Sequence, residues 1–211
     1  MKKKGLLLVI SGPAGSGKGT VVSELMKAHG DEFALSVSCT TREPRKGEID
    51  GVHYFFITRE EFKKKIDKDA FLEYAEYCNG NLYGTPTEYV KSQLDKGLNV
   101  ILEIDVQGGL QIKEKFPDVL LIMVAPPNSR SLEARLRGRG TNTEEDILGR
   151  LKRAHEELAL LPVYDYLVIS EDNKSIEAAE EICGIVHAEK NAAKRNAGFI
   201  DEFYNQETKD Q

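Results

Sequence analysis

Four short apolar runs punctuate this chain, at 6–10, 100–104, 119–124 and Tyr166–Ile169, and none shows the polar alternation of a half-exposed strand. Runs of that kind suit strands buried on both faces, as in a parallel sheet covered by helices. Helix-compatible stretches at 18–29, 86–96, 106–115, 143–160 and 174–190 lie between and after them. The alternation predicts a doubly wound α/β domain with a parallel sheet and right-handed crossovers. Ligands of such a domain bind at the carboxyl ends of its strands.

Two segments break the rhythm. Residues 35–85 hold short strand patterns at 54–57, 71–77 and 82–83 around one helix, a β-rich insertion. Residues 126–160 are dense in arginine, and there Thr143 can cap a helix with Asp146 while Ile147, Leu151, Ala154 and Leu158 form its apolar stripe. The expected organisation is a core of residues 1–34, 86–125 and 161–190, lobes at 35–85 and 126–160, and a tail at 191–211. The tail is polar apart from Phe199, Ile200, Phe203 and Tyr204, and it either docks as one helical turn or stays mobile.

Composition narrows the classes. With 211 residues, 40% hydrophobic and 30% charged, the chain has the profile of a soluble globular protein. A net charge of −6 argues against nucleic-acid binding. Cys39, Cys78 and Cys183 have neither metal-site nor disulfide spacing, which suits a reducing, cytoplasmic setting, and the four histidines show no ligand spacing either. The opening MKKKGLLLVI mimics a signal peptide, but its apolar run is too short. No run reaches the roughly 18 apolar residues of a membrane span.

The chemistry begins at SGPAGSGKGT, between the first apolar run and the first helix. Glycines at 12, 15 and 17 let successive N–H groups turn toward an anion, and a helix N-terminus adds its positive end. The loop comprises Gly12, Pro13, Ala14, Gly15, Ser16, Gly17, Lys18, Gly19 and Thr20, a nucleoside triphosphate cradle in which Lys18 reaches the outer phosphates. Gly19 stands where a metal-binding hydroxyl is expected, so Mg²⁺ is expected to be held mostly by nucleotide phosphates and water. A second cluster lies in the insertion: Ser38, Thr40, Thr41, Arg42, Arg45, Tyr54, Glu73, Tyr83 and Thr85. Arg42 and Arg45 flank Pro44 and offer planar forks for a phosphate, with Tyr54 and Tyr83 as phenol donors. They read equally as solvated loop charges and strand-face packing.

These segments, GPAGSGKGT, SVSCTTREPRKGEIDGVHYFF, FLEYAEYCNGNLYGTP, ILEIDVQG and LRGRGTNTEEDILGRL, resemble in order and spacing the guanylate kinases, over about residues 5 to 190. The resemblance implies a P-loop nucleoside monophosphate kinase fold and transfer of the γ-phosphoryl of ATP to GMP with Mg²⁺. It places the GMP-phosphate grip on Arg42, Arg45, Tyr54 and Tyr83, the guanine readers on Ser38, Glu73, Thr85 and Asp105, and a lid over ATP on Arg135, Arg139 and Arg150. Lys18, Arg42, Arg135, Arg139 and Arg150 are the implied catalytic cations. A glutamate can accept from both N1–H and the 2-amino group of guanine, which independently suits Glu73. Asp105 ends a strand and fits either base or metal water, and Glu103, where the family more often has aspartate, shares that ambiguity. Arg150 reads alternatively as the partner of Asp146 on a solvated face, beside Arg153 and Glu157.

Other classes fit less well. A GTPase needs Asn-Lys-x-Asp, and Asn173-Lys174 is followed by Ser175-Ile176. A ribose bisphosphate kinase has no use for base readers. Scaffold domains of guanylate-kinase type bind phosphopeptides after losing catalytic parts that this chain retains.

Overall fold

The structure, a computed structural model, describes residues 4–76, 80–138 and 143–207. A five-stranded parallel sheet forms its centre, built from β1 (Leu7–Ser11), β2 (Phe33–Leu35), β7 (Asn99–Glu103), β8 (Leu120–Ala125) and β9 (Tyr166–Ile169), in the order β2-β7-β1-β8-β9. From β1 the chain moves to one edge and later crosses to β8, so the carboxyl ends of β1 and β7 flank the switch-point crevice. Helices α1 (Lys18–His29), α4 (Val106–Lys115) and α7 (Ser175–Asn191) cover the sheet, as does α3 (Thr87–Asp95). One face buries Leu8, Ile10, Ile101, Ile122 and Val124 against Val21, Leu25, Ile182 and Val186 of α1 and α7. The other packs Val9, Val100, Leu102 and Leu121 against Val90 and Ile112.

Two strand expectations need correction. Four core strands were expected, but Phe33–Leu35 adds a fifth at the edge beside β7, running a residue past the expected core boundary at 34. Three residues carry too little pattern to read as a strand; pairing with β7 makes it one. The run Tyr166–Ile169 is not buried on both faces: only Val168 is buried, while Leu167 and Ile169 are more than a third exposed, because β9 is the opposite edge.

The insertion has its own sheet, with β3 (Cys39–Thr40), β4 (Phe55–Phe56), β5 (Phe71–Glu76) and β6 (Leu82–Pro86) in the order β4-β3-β6-β5. Helix α2 (Arg59–Asp67) closes it, started by a capping box between Thr58 and Glu61. Its separate small core gathers Cys39, Phe62, Phe71 and Leu82. The arginine-rich segment folds as a helix pair, α5 (Ser129–Gly138) and α6 (Glu144–Leu158), around Leu132, Leu136, Ile147 and Ala154. Thr143 and Asp146 form the expected capping box, and Arg137, paired with Glu133 on its own helix, ties α5 to α6 through Glu144. Helix α5 was not expected: its charges hide an apolar side of only Leu132 and Leu136. The tail forms α8 (Phe199–Glu207), longer than one turn, and Phe199, Ile200, Phe203 and Tyr204 stay more than half exposed. Among the described residues no helix is long and apolar enough to cross a membrane.

Candidate active site

The glycine-rich loop joins β1 to α1 at the carboxyl edge of the sheet. Gly12 passes so close to β8 that a Cβ there would stand 2.1 Å from the Val124 carbonyl oxygen. Gly17 has φ +95°, and its Cβ would meet Ser170 Oγ at 2.6 Å. The loop therefore admits no side chain at either position. Helix α1 also differs from α2 and α6: it has no side-chain cap and no acid in its first turn. The N–H groups of Gly15, Gly17, Lys18 and Gly19 donate to no acceptor among the described residues, and the buried hydroxyl of Ser16 has no partner. Unsatisfied donors around a helix N-terminus are what an oligophosphate needs. The Lys18 ammonium meanwhile donates to the Gly12 carbonyl at 3.2 Å.

From this loop a cleft of about 460 Å³ opens between the sheet and the inserted lobe. Lys18, Ser38, Arg42, Arg45, Tyr54, Glu73, Tyr83, Glu103 and Asp105 all line it, so the fold gathers residues from 18 to 105 around one cleft. The volume suits one small ligand of nucleotide size. Glu73, 7% exposed, accepts from the Thr85 hydroxyl at 2.6 Å. Burial pushes its pKa above the ordinary glutamate value; Thr85 opposes that rise and the Asp105 charge adds to it. Asp105 accepts from the Gly108 N–H at 2.8 Å as the N-cap of α4, so its carboxylate is positioned by a helix end as well as facing the cleft. The Tyr54 phenol is pushed up, first by burial, and stays a neutral donor.

A residue absent from the sequence reading holds the phosphate-grip candidates in place. Glu48 accepts from both terminal nitrogens of Arg42, at 2.9 and 2.8 Å, and from the Arg45 main-chain N–H at 2.7 Å. Arg42 Nε donates to the Tyr83 hydroxyl at 3.3 Å, and its guanidinium lies over Tyr54 and Phe56, 5.5 and 5.8 Å from the ring centres. Glu48 thus pre-orients Arg42 and also occupies the fork that a phosphate would use. Only the turn between β3 and β4 brings the two together, and Glu48 reads in sequence as one more acid in a charged loop. The hydrogen bonds from Arg42, then that from Arg45, hold its carboxyl down at about 2. A lowered pKa contributes stability that is complete above the ordinary 4.5 and is lost as pH falls through about 2. Wild type should therefore lose stability more steeply than Glu48→Gln across that window. Thermal unfolding over a pH series measures it, and parallel slopes would show that the fork contributes nothing.

Lid candidates separate. Arg135 is fully engaged as a staple: it reaches Asp172 Oδ1 at 3.0 and 2.8 Å, the Ser16 carbonyl at 2.9 Å and the Ser170 carbonyl at 2.6 Å. It joins α5 to the phosphate loop and to the turn after β9. Arg150 lies exposed on α6 outside the cleft, and its alternative partner Asp146 spends its carboxylate on the Thr143 cap. Among the described residues neither Asp146–Arg150 nor Arg153–Glu157 closes as an ion pair. Arg139 lies outside the described residues.

For Mg²⁺ the donor set fits through water. Glu103 faces Lys18 across the cleft mouth; loss of solvent raises its pKa and Lys18 draws it back. A Cβ on Gly19 would stand 3.3 Å from Glu103 Oε1, so the missing hydroxyl at position 19 leaves room for that carboxylate. Hard cations take such oxygen donors with several waters.

A parallel sheet with its phosphate loop at the switch point, a β-rich lobe across a cleft and a helical flap define a P-loop kinase of the nucleoside monophosphate type. The family described as guanylate kinase matches residues 4–188. The chain is 49% identical to a guanylate kinase of Clostridioides difficile strain 630 over 97% of its length and 98% of that protein's. It is also 49% identical to one of Streptococcus mutans, covering 98% and 97%. The crystal structure of guanylate kinase from Anaplasma phagocytophilum superposes with a TM-score of 0.71 at 34% identity, covering 92% of this chain and 90% of that one. The chain belongs to the guanylate kinase family and is an enzyme of phosphoryl transfer in GMP phosphorylation.

Proposed function

We propose that this enzyme transfers the γ-phosphoryl of ATP to GMP, releasing ADP and GDP, in the cytoplasm and without nucleic-acid or membrane partners. The observation that carries the reading is the single cleft lined by Lys18 of the phosphate loop, the Arg42 fork and the buried Glu73. ATP phosphates rest on residues 12–20. The GMP phosphate is gripped by Arg42, Arg45, Tyr54 and Tyr83, and guanine by Ser38, Glu73, Thr85 and Asp105. A phosphate oxygen of GMP attacks Pγ in line as the bond from Pγ to the ADP oxygen breaks. That oxygen is already anionic, so no general base is needed. Charge spreads over the equatorial oxygens, and Lys18, Arg42, Arg135, Arg139 and Arg150 are the cations assigned to it. Mg²⁺, held by nucleotide phosphates and by water on Glu103 or Asp105, would neutralise phosphate charge when bound.

The lobes divide the work: 35–85 takes GMP and 126–160 closes as the lid, bringing Arg150 in from solvent and excluding water. Arg135, already fixed on the Ser16 carbonyl, is the pivot of that closure. The test is ADP formation from Mg·ATP with GMP, AMP, CMP and UMP offered separately. Turnover with GMP at least about 10²-fold above the others is expected from a polar base site. Equal turnover with all four, or none with GMP while ATP binds, would overturn the reading.

A further inference from the structure

We propose that the chain carries a second site, for a divalent cation of the zinc class, formed by His29, Glu32, Cys183 and His187 where α1 ends against α7. Some 18 Å of helix separates it from the phosphate loop at the other end of α1. One ligand atom from each of His29, Glu32 and Cys183 lies within 4.8 Å of the other two. His187 Nε2 is 3.8 Å from Cys183 Sγ and 2.8 Å from Glu32 Oε2. A tetrahedral ion with metal–sulfur near 2.3 Å and metal–nitrogen or –oxygen near 2.0–2.1 Å holds its ligand atoms roughly 3.3–3.6 Å apart. Three donors thus already converge, and His187 adjoins them through Cys183 and Glu32, so side-chain rotation of the histidine completes the set around an ion.

Their supports are rigid. Cys183 and His187 stand one turn apart on the same face of α7. His29 and Glu32 close the turn after α1, with the Glu32 N–H donating to the His29 carbonyl at 2.9 Å. The Glu32 carbonyl in turn accepts from both the main-chain N–H and the side-chain amide of Asn99, at 2.9 and 3.1 Å, and Asn99 is fully buried in the sheet. Glu180 holds His29 Nε2 at 2.9 Å, the carboxylate-to-imidazole support common behind metal ligands. Cys183 is buried, whereas His187 is half exposed and leaves an entry path. Thiolate with imidazole selects zinc-class metals over Mg²⁺ or Ca²⁺. As the metal–sulfur bond forms, the Cys183 thiol proton passes to solvent. The bound ion clamps the far end of α1 to α7. The competing account is a hydrogen-bonded polar cluster with no metal affinity.

Cobalt titration of the chelator-treated full chain decides between them. One equivalent of Co²⁺ should give a thiolate-to-cobalt charge-transfer band and the visible bands of a tetrahedral site, both displaced by Zn²⁺. Zn²⁺ at about 100 times its Kd should raise Tm by roughly 5–10 °C. Cys183→Ser should abolish the charge-transfer band, and His29→Gln and His187→Gln should each weaken binding about tenfold or more. No band and no Tm shift in folded wild type overturns the site, as does a band that survives Cys183→Ser and so belongs to Cys39 or Cys78. If Cys183→Ser does not fold, the two histidine variants decide, and unchanged cobalt affinity in both overturns the proposal. None of these readouts depends on nucleotide turnover.

Discussion

Glu73→Gln is expected to lower kcat/KM for GMP by about 10²–10⁴-fold and to narrow the preference over AMP by a similar factor. The carboxylate can accept from guanine N1–H and the 2-amino group together; a glutamine keeps one acceptor and turns an NH₂ toward the second donor. Adenine offers an unprotonated N1, which the glutamine amide can meet, so the variant gains for the wrong base what it loses for the right one. Folding should not suffer. Burial raises the Glu73 pKa, so its ionised form costs stability once pH passes the ordinary 4.5, and removing the charge leaves the unliganded protein at least as stable at neutral pH. The Thr85 hydroxyl can still donate to the remaining oxygen at position 73. The same raised pKa places the acidic limb of kcat/KM for GMP above 4.5, because protonated Glu73 no longer accepts both bonds; that limb should vanish in the variant. Steady-state kinetics with GMP and AMP over a pH series measures all three effects. A variant with undiminished GMP selectivity would remove Glu73 from base recognition.

Lys18→Met should lower kcat by about 10³-fold while Tm moves by no more than about 2 °C. The difference follows from what Lys18 touches. Among the described residues its ammonium makes one hydrogen bond, to the Gly12 carbonyl, whereas every part of the Arg135 fork is tied into the fold. Methionine keeps the stem length and the helix propensity at the first position of α1 and deletes only the charge. Loss of charge near the transferring group then appears in turnover and hardly in stability. Arg135→Ala should instead lower both, since it cuts three attachments between α5 and the loops. Single-turnover ADP release with thermal unfolding of both variants separates the cases; kcat within about tenfold of wild type for Lys18→Met would exclude Lys18 from the charge-stabilising set.

The phosphate loop, the parallel sheet and the two insertions were legible in the chain because each is specified by local rules. Glycine spacing reports positive backbone angles, unbroken apolar runs report strands covered on both faces, and Thr143 with Asp146 reports a helix start. Strand Phe33–Leu35 was not legible, since three residues become a strand only by pairing with Asn99–Glu103. Nor was the half-exposed state of Leu167 and Ile169, which follows from β9 lying at an edge.

Site chemistry divides in the same way. Sequence alone supplied the residue types proposed to hold phosphates and read a purine, with Lys18, Arg42 and Glu73 among them. Tertiary structure decided which charges are free and which are spoken for: Glu48 fills the Arg42 fork, Asp172 and two carbonyls fill that of Arg135, and Arg150 stands in solvent. It also brought His29 and Glu32, where α1 ends, to Cys183 and His187 on one face of α7. Local propensity is written in neighbouring residues, but the occupancy of a fork or a ligand set depends on atoms far apart along the chain, and packing alone sets their distance.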